Sequence, residues 1–599
     1  GKGGGDESLT GLENQGLHRT GINQSLDFKS SGFGNLVAAL EYAARGETGI
    51  NFYDGRGELE HVLSYRELME GARVLGRKFL GIAPQRGSRV AIVAETDPMF
   101  HKVFFAAQYA GHLPVALPAG VQLGAHDAYV AQLRRMLEGC GASIAVAPAT
   151  HIGFLKEAAT GLDGVHVGLL EDFEALDEAD CELVALDSDE PAYLQYTSGS
   201  TRFPRGVEIT QASVMNNLRE IAEDGLHLGE GDRFVSWLPL YHDMGLVGFV
   251  LLPLATQLSC DLLSPRTFAM RPRLWLKIIS ENRGTVSSSP PFGYALCAKR
   301  LRPSDTERYD LSCWRAACVG AERIQPKPLR EFSEALRSTG FDPASFVPCY
   351  GMAECALAVS FAPLGDGLHI DRVHKHAMAE DLLAEPITDP LVSAEDVLEF
   401  VDCGDVLPTY EFTIRDADGN DLPERHCGRV CLRGPSVMRG YYRDPAATGE
   451  VLSSDGWLDT GDIGYRVGNR LFITARSKDV IIINGRNIWP QDLEHLADDM
   501  PGVRQGNVSA FAAPLPSGED LAVLVVECRE RDPEKRRALV TELEGAVRTH
   551  FGIHSYIDLV PPGTLPRTSS GKLARSRTKQ DFLDRVSLAD GAGFSQVAN

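Results

Sequence analysis

Residues 196–206, Tyr-Thr-Ser-Gly-Ser-Thr-Arg-Phe-Pro-Arg-Gly, combine types that could hold a polyphosphate. Thr197, Ser198, Gly199, Ser200 and Thr201 offer hydroxyls and backbone N–H groups, and Gly199 lets the chain turn without side-chain bulk. Arg202 and Arg205 add positive charge. The apolar run Pro191–Tyr196 before the loop reads as a strand. After it, Thr210 is placed to cap a helix over about 212–221. The pattern is not a P-loop, because no G-x-x-x-x-G-K-[ST] occurs in the chain. A Ser/Thr/Gly loop alone also describes an ordinary surface turn, so its meaning depends on the motifs downstream.

Five further motifs stand in order along the chain. Trp237-Leu-Pro-Leu-Tyr-His-Asp-Met-Gly245 sets the His242 imidazole beside a carboxylate and a glycine turn. Val319-Gly-Ala-Glu322 offers Gly320, Ala321 and Glu322 at a strand end, where a flat ring can approach the backbone. Tyr350-Gly-Met-Ala-Glu354 joins an aromatic ring, Tyr350, to the flexible Gly351 and to Met352. Its Glu354 carboxylate suits Mg²⁺, which takes one or two carboxylates plus phosphate oxygens. Asp459-Thr-Gly-Asp462 provides a carboxylate for two ribose hydroxyls. Leu565-Pro-Arg-Thr-Ser-Ser-Gly-Lys-Leu573 presents Lys572 on a Gly/Ser loop. Taken singly, His242 reads as a polar turn residue and Lys572 as solvated surface.

Together and in this order, the six motifs resemble the adenylate-forming enzymes: acyl-CoA synthetases, luciferases and peptide-synthetase adenylation domains. The resemblance spans about residues 20–585, and the stretch from Arg476 to Glu494 is similar to the family's hinge motif. Ser25-Leu-Asp-Phe28, the Leu194–Arg202 stretch, His242-Asp-Met-Gly-Leu246 and a long insertion after Glu354 resemble the fatty acyl-AMP ligase branch. The resemblance implies ATP and Mg²⁺ as cofactors and a medium- to long-chain fatty acid as substrate. It implies that Thr197–Thr201 cradle phosphates, Glu354 holds Mg²⁺ and Tyr350 stacks on adenine among Gly320–Glu322. Asp462 and Arg476 would hold the ribose, and Lys572 would bridge the carboxylate and the α-phosphate. His242 and Glu354 join Lys572 as catalytic candidates, and Lys478 is the expected hinge of a rotating C-terminal domain. The implied acceptor is the phosphopantetheine thiol of an acyl carrier protein, within polyketide or lipopeptide assembly. The alternative is a long-chain acyl-CoA synthetase that uses CoA. Arg205 stands where the family usually has Lys, exchanging a point charge for a planar fork.

The elements that must position these residues alternate. Strand-like runs such as Arg89–Val93, Leu113–Leu117 and Ser143–Ala147 interleave with helical stretches, which argues an α/β fold with largely parallel sheets. The family implies a large N-terminal domain of two α/β subdomains with parallel-rich sheets plus a β-rich subdomain, and a small mobile α/β C-terminal domain. The expected divisions are a flexible lead over 1–25, an adenylation domain over 26–476, a C-terminal domain over 477–585 and a tail over 586–599. Residues 363–400 are acidic and lack clear strands, so they read as an insertion that resembles the branch's brake on domain motion toward CoA. The acyl pocket is expected from apolar residues of 237–252 and 286–297. The cluster Lys572, Arg575, Arg577 and Lys579 is a candidate surface for an acidic carrier protein.

Bulk properties narrow the class further. The 599 residues imply two or three domains. A net charge of −23 argues against nucleic acid and anionic membrane surfaces as partners, and requires any triphosphate site to be locally positive. The twelve cysteines are scattered without CxxC, as expected for reduced thiols in a cytoplasmic protein. No signal peptide or integral membrane segment is expected.

Overall fold

The computed structural model describes residues 16–120, 125–197, 204–503, 507–568 and 572–588. Among them, two large sheets dominate. In one, the strands Leu113–Leu117, Arg89–Val93, Ile144–Val146 and His166–Gly168 run parallel, and Pro191–Tyr196 joins them beside Leu113–Leu117. Gly206–Thr210 runs antiparallel to Pro191–Tyr196, and these paired strands flank the phosphate-loop candidate in sequence. The short strand Gly440–Tyr441 closes this edge against Gly206–Thr210.

The second sheet has fourteen strands among the described residues. Its parallel half runs Gly49–Tyr53, Cys260–Leu262, Phe234–Ser236, Val286–Ser289, Ala316–Val319 and Phe346–Gly351. It then continues without a break into an antiparallel half, Ala358–Phe361, Val397–Val406, Arg470–Arg476, Leu458–Val467, Gly428–Arg433 and Glu411–Arg415. The β-rich region expected from sequence is therefore an extension of an α/β sheet. The switch between halves falls at residues 346–361, which include the Tyr350–Glu354 motif.

Local chemistry explains the helices that cover these sheets. Pro98–Ala110 starts on Asp97, whose side chain accepts from the Phe100 N–H, has Pro at its first position and stops at Gly111 with φ 71°. Tyr65–Ile82 is capped by the Ser64 hydroxyl, which accepts from Glu67 N at 3.1 Å. Thr210 caps Gln211–Glu220 as expected. That helix ends in a π-helical turn at Ile221–Gly225, and a second π turn, Val247–Leu251, lies inside the run Asp243–Ala255. No helix among the described residues is long and apolar enough to cross a membrane. All twelve cysteines are free, and nine are buried.

Two sequence expectations need correction. Residues 16–25 of the supposed lead are pinned to the body. Thr20 N donates to Asn51 Oδ1 at 2.8 Å, and Arg233 Nη2 donates to Thr20 O while holding the fully buried Asp261 with Nε at 2.7 Å. Polar contacts do this work, so apolar periodicity could not reveal it. Residues 363–400 are also not strandless. Ile370–His374 pairs antiparallel with Val397–Val406, and Lys375–Asp381 is helical. This strand reads Ile-Asp-Arg-Val-His and lies off the main path of the sheet, so it has little apolar alternation to show.

Residues 481–582 build two cores of their own. One centres on Ile481, Leu493, Leu524 and Leu543, the other on Phe511, Val523 and Phe582. Their scaffold is a three-stranded sheet of Val508–Pro514, Asp520–Glu527 and Ser555–Val560, with helices Pro490–Asp498, Pro533–Phe551 and Arg575–Leu588. The 363–400 segment touches this unit. Lys375 Nζ donates to His550 O at 2.9 Å and sits 4.4 Å from the Phe551 ring centre, and Asn487 Nδ2 donates to Ala379 O at 3.3 Å.

Candidate active site

The candidates gather where the C-terminal ends of the parallel strands meet the C-terminal unit, the usual place for a ligand in an open α/β sheet. Gly320, Ala321 and Glu322 follow the strand Ala316–Val319. A side chain at 320 would bring Cβ to 3.1 Å from the carbonyl oxygen and sulfur of Cys349, so glycine permits the close packing there. Ala321 holds a φ of 75°, a strained conformation for a residue with a Cβ. Its carbonyl accepts the Lys572 Nζ donor at 2.6 Å, joining residues 251 apart in sequence.

Tyr350 and Gly351 end the neighbouring strand Phe346–Gly351. At Gly351 a Cβ would lie 1.9 Å from Leu357 O, which excludes any larger residue. The Tyr350 hydroxyl donates to Asp462 Oδ2. Asp462 and Arg476 are direct cross-strand partners, with Arg476 Nε 3.9 Å from Asp462 Oδ1. Burial raises the Asp462 carboxyl above the ordinary range, and Arg476 opposes that shift. Met352 turns the chain, its N–H donating to Leu357 O at 2.8 Å, into the short turn that carries Glu354.

Glu354 is fixed twice. Its carbonyl accepts from Met438 N at 2.8 Å, and its Oε2 accepts from the Tyr441 hydroxyl at 2.9 Å. Burial pushes its carboxyl up, and the Tyr441 bond works against that. Arg205 lies over the Tyr441 ring at 5.3 Å. Tyr441 thus links the base of the phosphate-loop hairpin to Glu354. Sequence reading missed Tyr441, whose partner is 87 residues away. Thr197 closes the neck of the hairpin, with Thr197 N donating to Arg205 O at 3.0 Å and Arg205 N donating to Thr197 Oγ1 at 3.3 Å. Ser198, Gly199, Ser200, Thr201 and Arg202 lie outside the described residues.

His242 precedes the first turn of the Asp243–Leu246 helix. Burial, with Lys572 as a second cause, lowers its pKa to about 3, so the ring is neutral at physiological pH, and its buried Nε2 has no hydrogen-bond partner among the described residues. Asp243 is pushed up to about 6 by burial, against the pull of Lys572. Burial in the cleft lowers the Lys572 pKa, and Glu322 and Asp243 partly restore it. Lys478 stands exposed on the turn Ser477–Asp479. Its pKa is lowered by desolvation and then by Arg476, with Arg205 contributing further. Cationic Arg205, Arg476, Lys478 and Lys572 therefore meet carboxylates Glu354 and Asp462 in a protein of net charge −23. Hard oxygen donors beside a cluster of cations fit Mg²⁺ held together with a polyphosphate.

Behind this polar mouth is a narrow apolar cavity of about 60 Å³. Gly320, Ala321, Tyr350 and Asp243 line its mouth side, and Phe249, Leu252, Leu357 and Phe361 line the rest. The expected 237–252 stretch contributes Asp243, Met244, Gly248, Phe249 and Leu252, whereas 286–297 contributes only Val286 and Ser288. The remaining wall comes from residues 318–361, from Ile221 of the first π turn, and from Leu226 and Phe234. Phe361 packs on Gly225, where a Cβ would meet its ring at 2.6 Å. Arg575, expected on a carrier-protein surface, is instead paired internally with Glu494 and Asp479.

The apolar cavity thus opens beside Gly320, Ala321 and Tyr350, and the Tyr350 hydroxyl in turn holds Asp462 of the Asp462–Arg476 pair. A model of the AMP-binding enzyme family matches residues 43–442, and the chain belongs to that family. Within it the chain falls in the fatty acyl-AMP ligase branch, AMP-forming enzymes that activate a fatty carboxylate with ATP. A solved structure from a study of fatty acyl-adenylate ligases of E. coli and L. pneumophila superposes with a TM-score of 0.88 at 44% identity, covering 94% of this chain and 100% of that one. A Caulobacter vibrioides protein provisionally named an acyl-CoA synthetase is 43% identical, over 92% of this chain and 96% of its own. JamA of Moorena producens, a medium-chain-fatty-acid–[acyl-carrier-protein] ligase, is 29% identical over 92% of this chain and 95% of its own.

Proposed function

We propose that the chain converts a medium- to long-chain fatty acid to its acyl adenylate and passes the acyl group to the phosphopantetheine thiol of an acyl carrier protein in the cytoplasm. A fatty carboxylate, with a pKa of roughly 4–5, is already ionised at neutral pH, so the first step needs no general base. A carboxylate oxygen attacks the α-phosphorus in line, the bond to the β-phosphate oxygen breaks, and pyrophosphate leaves. The difficulty is bringing an anion to a polyanion, so positioning and charge neutralisation carry the catalysis. Lys572 meets both anions, the neutral His242 ring faces the carboxylate, and Asp462 with Arg476 takes the ribose. Thr197–Thr201 and Arg205 hold the outer phosphates. Tyr350 and Gly320–Glu322 hold adenine. Glu354 would hold Mg²⁺, which neutralises phosphate charge when bound. In the second step the thiol sulfur attacks the acyl carbon, AMP leaves and the thiol proton is released.

The observation that carries this reading is the Lys572 Nζ contact with Ala321 O, which sets the ammonium at the junction of cavity and nucleotide segment. Two features support a carrier protein over CoA. One is the anchoring of residues 363–400 on the C-terminal unit through Lys375, which suits a brake on the rearrangement that CoA use needs. The other is the likeness to JamA. The domain limits 26–476 and 477–585 are part of the same reading, with Lys478 as the hinge.

The test is a labelled-fatty-acid assay with ATP and Mg²⁺, resolved by chromatography, with and without CoA and with a phosphopantetheinylated carrier protein. Acyl-AMP that persists with CoA and is consumed by the carrier supports the proposal. Conversion to acyl-CoA assigns the chain to the synthetases, and absence of any adenylate refutes both.

A further inference from the structure

Arg323 follows the nucleotide segment Gly320–Glu322 directly, and its side chain is only 2% exposed. Its guanidinium grips Asp492 with both terminal nitrogens, Nη1 to Oδ2 at 3.1 Å and Nη2 to Oδ1 at 3.0 Å. Nη2 also donates to Glu399 O at 3.0 Å, and the fork lies 4.4 Å from the Phe400 ring centre. Asp492 sits in the first turn of the helix Pro490–Asp498, in the C-terminal unit. Two residues on, Glu494 accepts from Arg575 Nη2 at 2.6 Å and Nε at 3.1 Å, and Arg575 Nη1 reaches Asp479 beside the expected hinge at 3.2 Å. Arg575 lies three residues after Lys572, and Lys572 donates back to Ala321 O. The contacts form a closed circuit: Ala321, Arg323, Asp492, Glu494, Arg575, Lys572 and Ala321 again.

We propose that Arg323 and Asp492 are positioning residues for Lys572, a bidentate clamp that registers the C-terminal unit on the nucleotide segment. The inference rests on the adenylation reading above. A bidentate pair fixes direction as well as distance, which a lone Lys572–carbonyl bond cannot do. Because the clamp joins the same short segment that accepts Lys572, a shift of the C-terminal unit moves the ammonium away from the nucleotide.

The experiment compares wild type with Asp492→Asn, which keeps the shape, and Arg323→Lys, which keeps the charge without the fork. Two quantities are read: kinetics of acyl-AMP formation, and labelling of Lys572 by an amine-acetylating reagent, followed by mass spectrometry without ATP. Both variants should lower kcat by about 100-fold, as expected for a catalytic group displaced by about 1 Å, while KM for ATP stays within about threefold. Lys572 labelling should rise by about tenfold or more relative to other lysines. Unchanged Lys572 labelling overturns the clamp whatever the turnover does. A uniform rise across all lysines also overturns it, because that marks general loosening. Increased Lys572 labelling with intact acyl-AMP formation leaves the clamp standing and overturns the adenylation role of Lys572 instead.

Discussion

Gly248 should limit acyl chain length. It lies in the π turn Val247–Leu251 and lines the apolar cavity. A Cβ built there meets its nearest neighbour, Leu357 Cδ2, at 3.5 Å, an ordinary contact, so a side chain can enter without displacing backbone. Gly248→Leu adds four carbons to the cavity, the space of about three chain methylenes. At ~0.8 kcal/mol per buried methylene, acyl chains long enough to pass residue 248 lose about 2.4 kcal/mol of binding, a factor of roughly 60 in kcat/KM. Shorter acids keep wild-type values, and loss of a helical glycine adds up to about 1 kcal/mol of stability. The assay is pyrophosphate release across a fatty-acid series from six to sixteen carbons, about the span of medium to long chains. The expected result is a step in kcat/KM that moves to shorter chains. An equal loss at every length, or an unchanged profile, refutes the placement of the chain beside Gly248.

Three further outcomes follow from the geometry. Tyr441→Phe removes the hydroxyl that orients Glu354 but keeps the ring under Arg205. It should raise the Mg²⁺ concentration for half-maximal activity by about tenfold and weaken Mn²⁺ binding, read by electron paramagnetic resonance, to the same degree. His101 is fully buried, and burial lowers its pKa to about 4, so protons bind the unfolded state first as pH falls below 6.5. That stability is complete above about pH 6.5 and lost toward pH 4. His101→Leu should therefore lose about 2 kcal/mol less than wild type between pH 7.5 and 5 in denaturant titrations. Lys375→Ala removes the contact between the 363–400 segment and the Pro533–Phe551 helix. It should raise CoA-dependent acyl transfer about fivefold, the worth of one cation at a helix C-terminus and ring face, and a transfer rate equal to wild type would count against the brake.

The framework of the site was legible in the sequence where residue type and local spacing suffice. The runs Arg89–Val93, Leu113–Leu117 and Pro191–Tyr196 are strands with the limits their apolar residues imply, and the Thr210 cap was readable from three residues. Motif order was enough to bring Gly320, Tyr350, Glu354, Asp462 and Lys572 to one cleft. What was not legible depends on distant partners. Arg323 looks like any residue after a motif until Asp492, 169 positions later, is seen against it. The Ile370–His374 strand is held by hydrogen bonds along Val397–Val406, and backbone pairing leaves no mark on a polar sequence. Residues 16–25 are tied by side-chain hydrogen bonds to the 51, 233 and 257–259 regions, so composition alone made them look loose. The apolar cavity was half-read because its second wall sits on strands that lie side by side only after folding.

The fourteen-stranded sheet also sets a timetable for biosynthesis. Ile50 in the strand Gly49–Tyr53 pairs with Cys260, 210 residues later, and on its other side only the hairpin partner Leu59–Ser64 is available early. At about 5–20 residues per second, a nascent chain presents this apolar edge for roughly 10–40 seconds before the ribosome delivers its mate. An open edge of that kind invites pairing with other chains. Expression yield should therefore respond to chaperone supply and translation speed early in the message more than to changes near the active site.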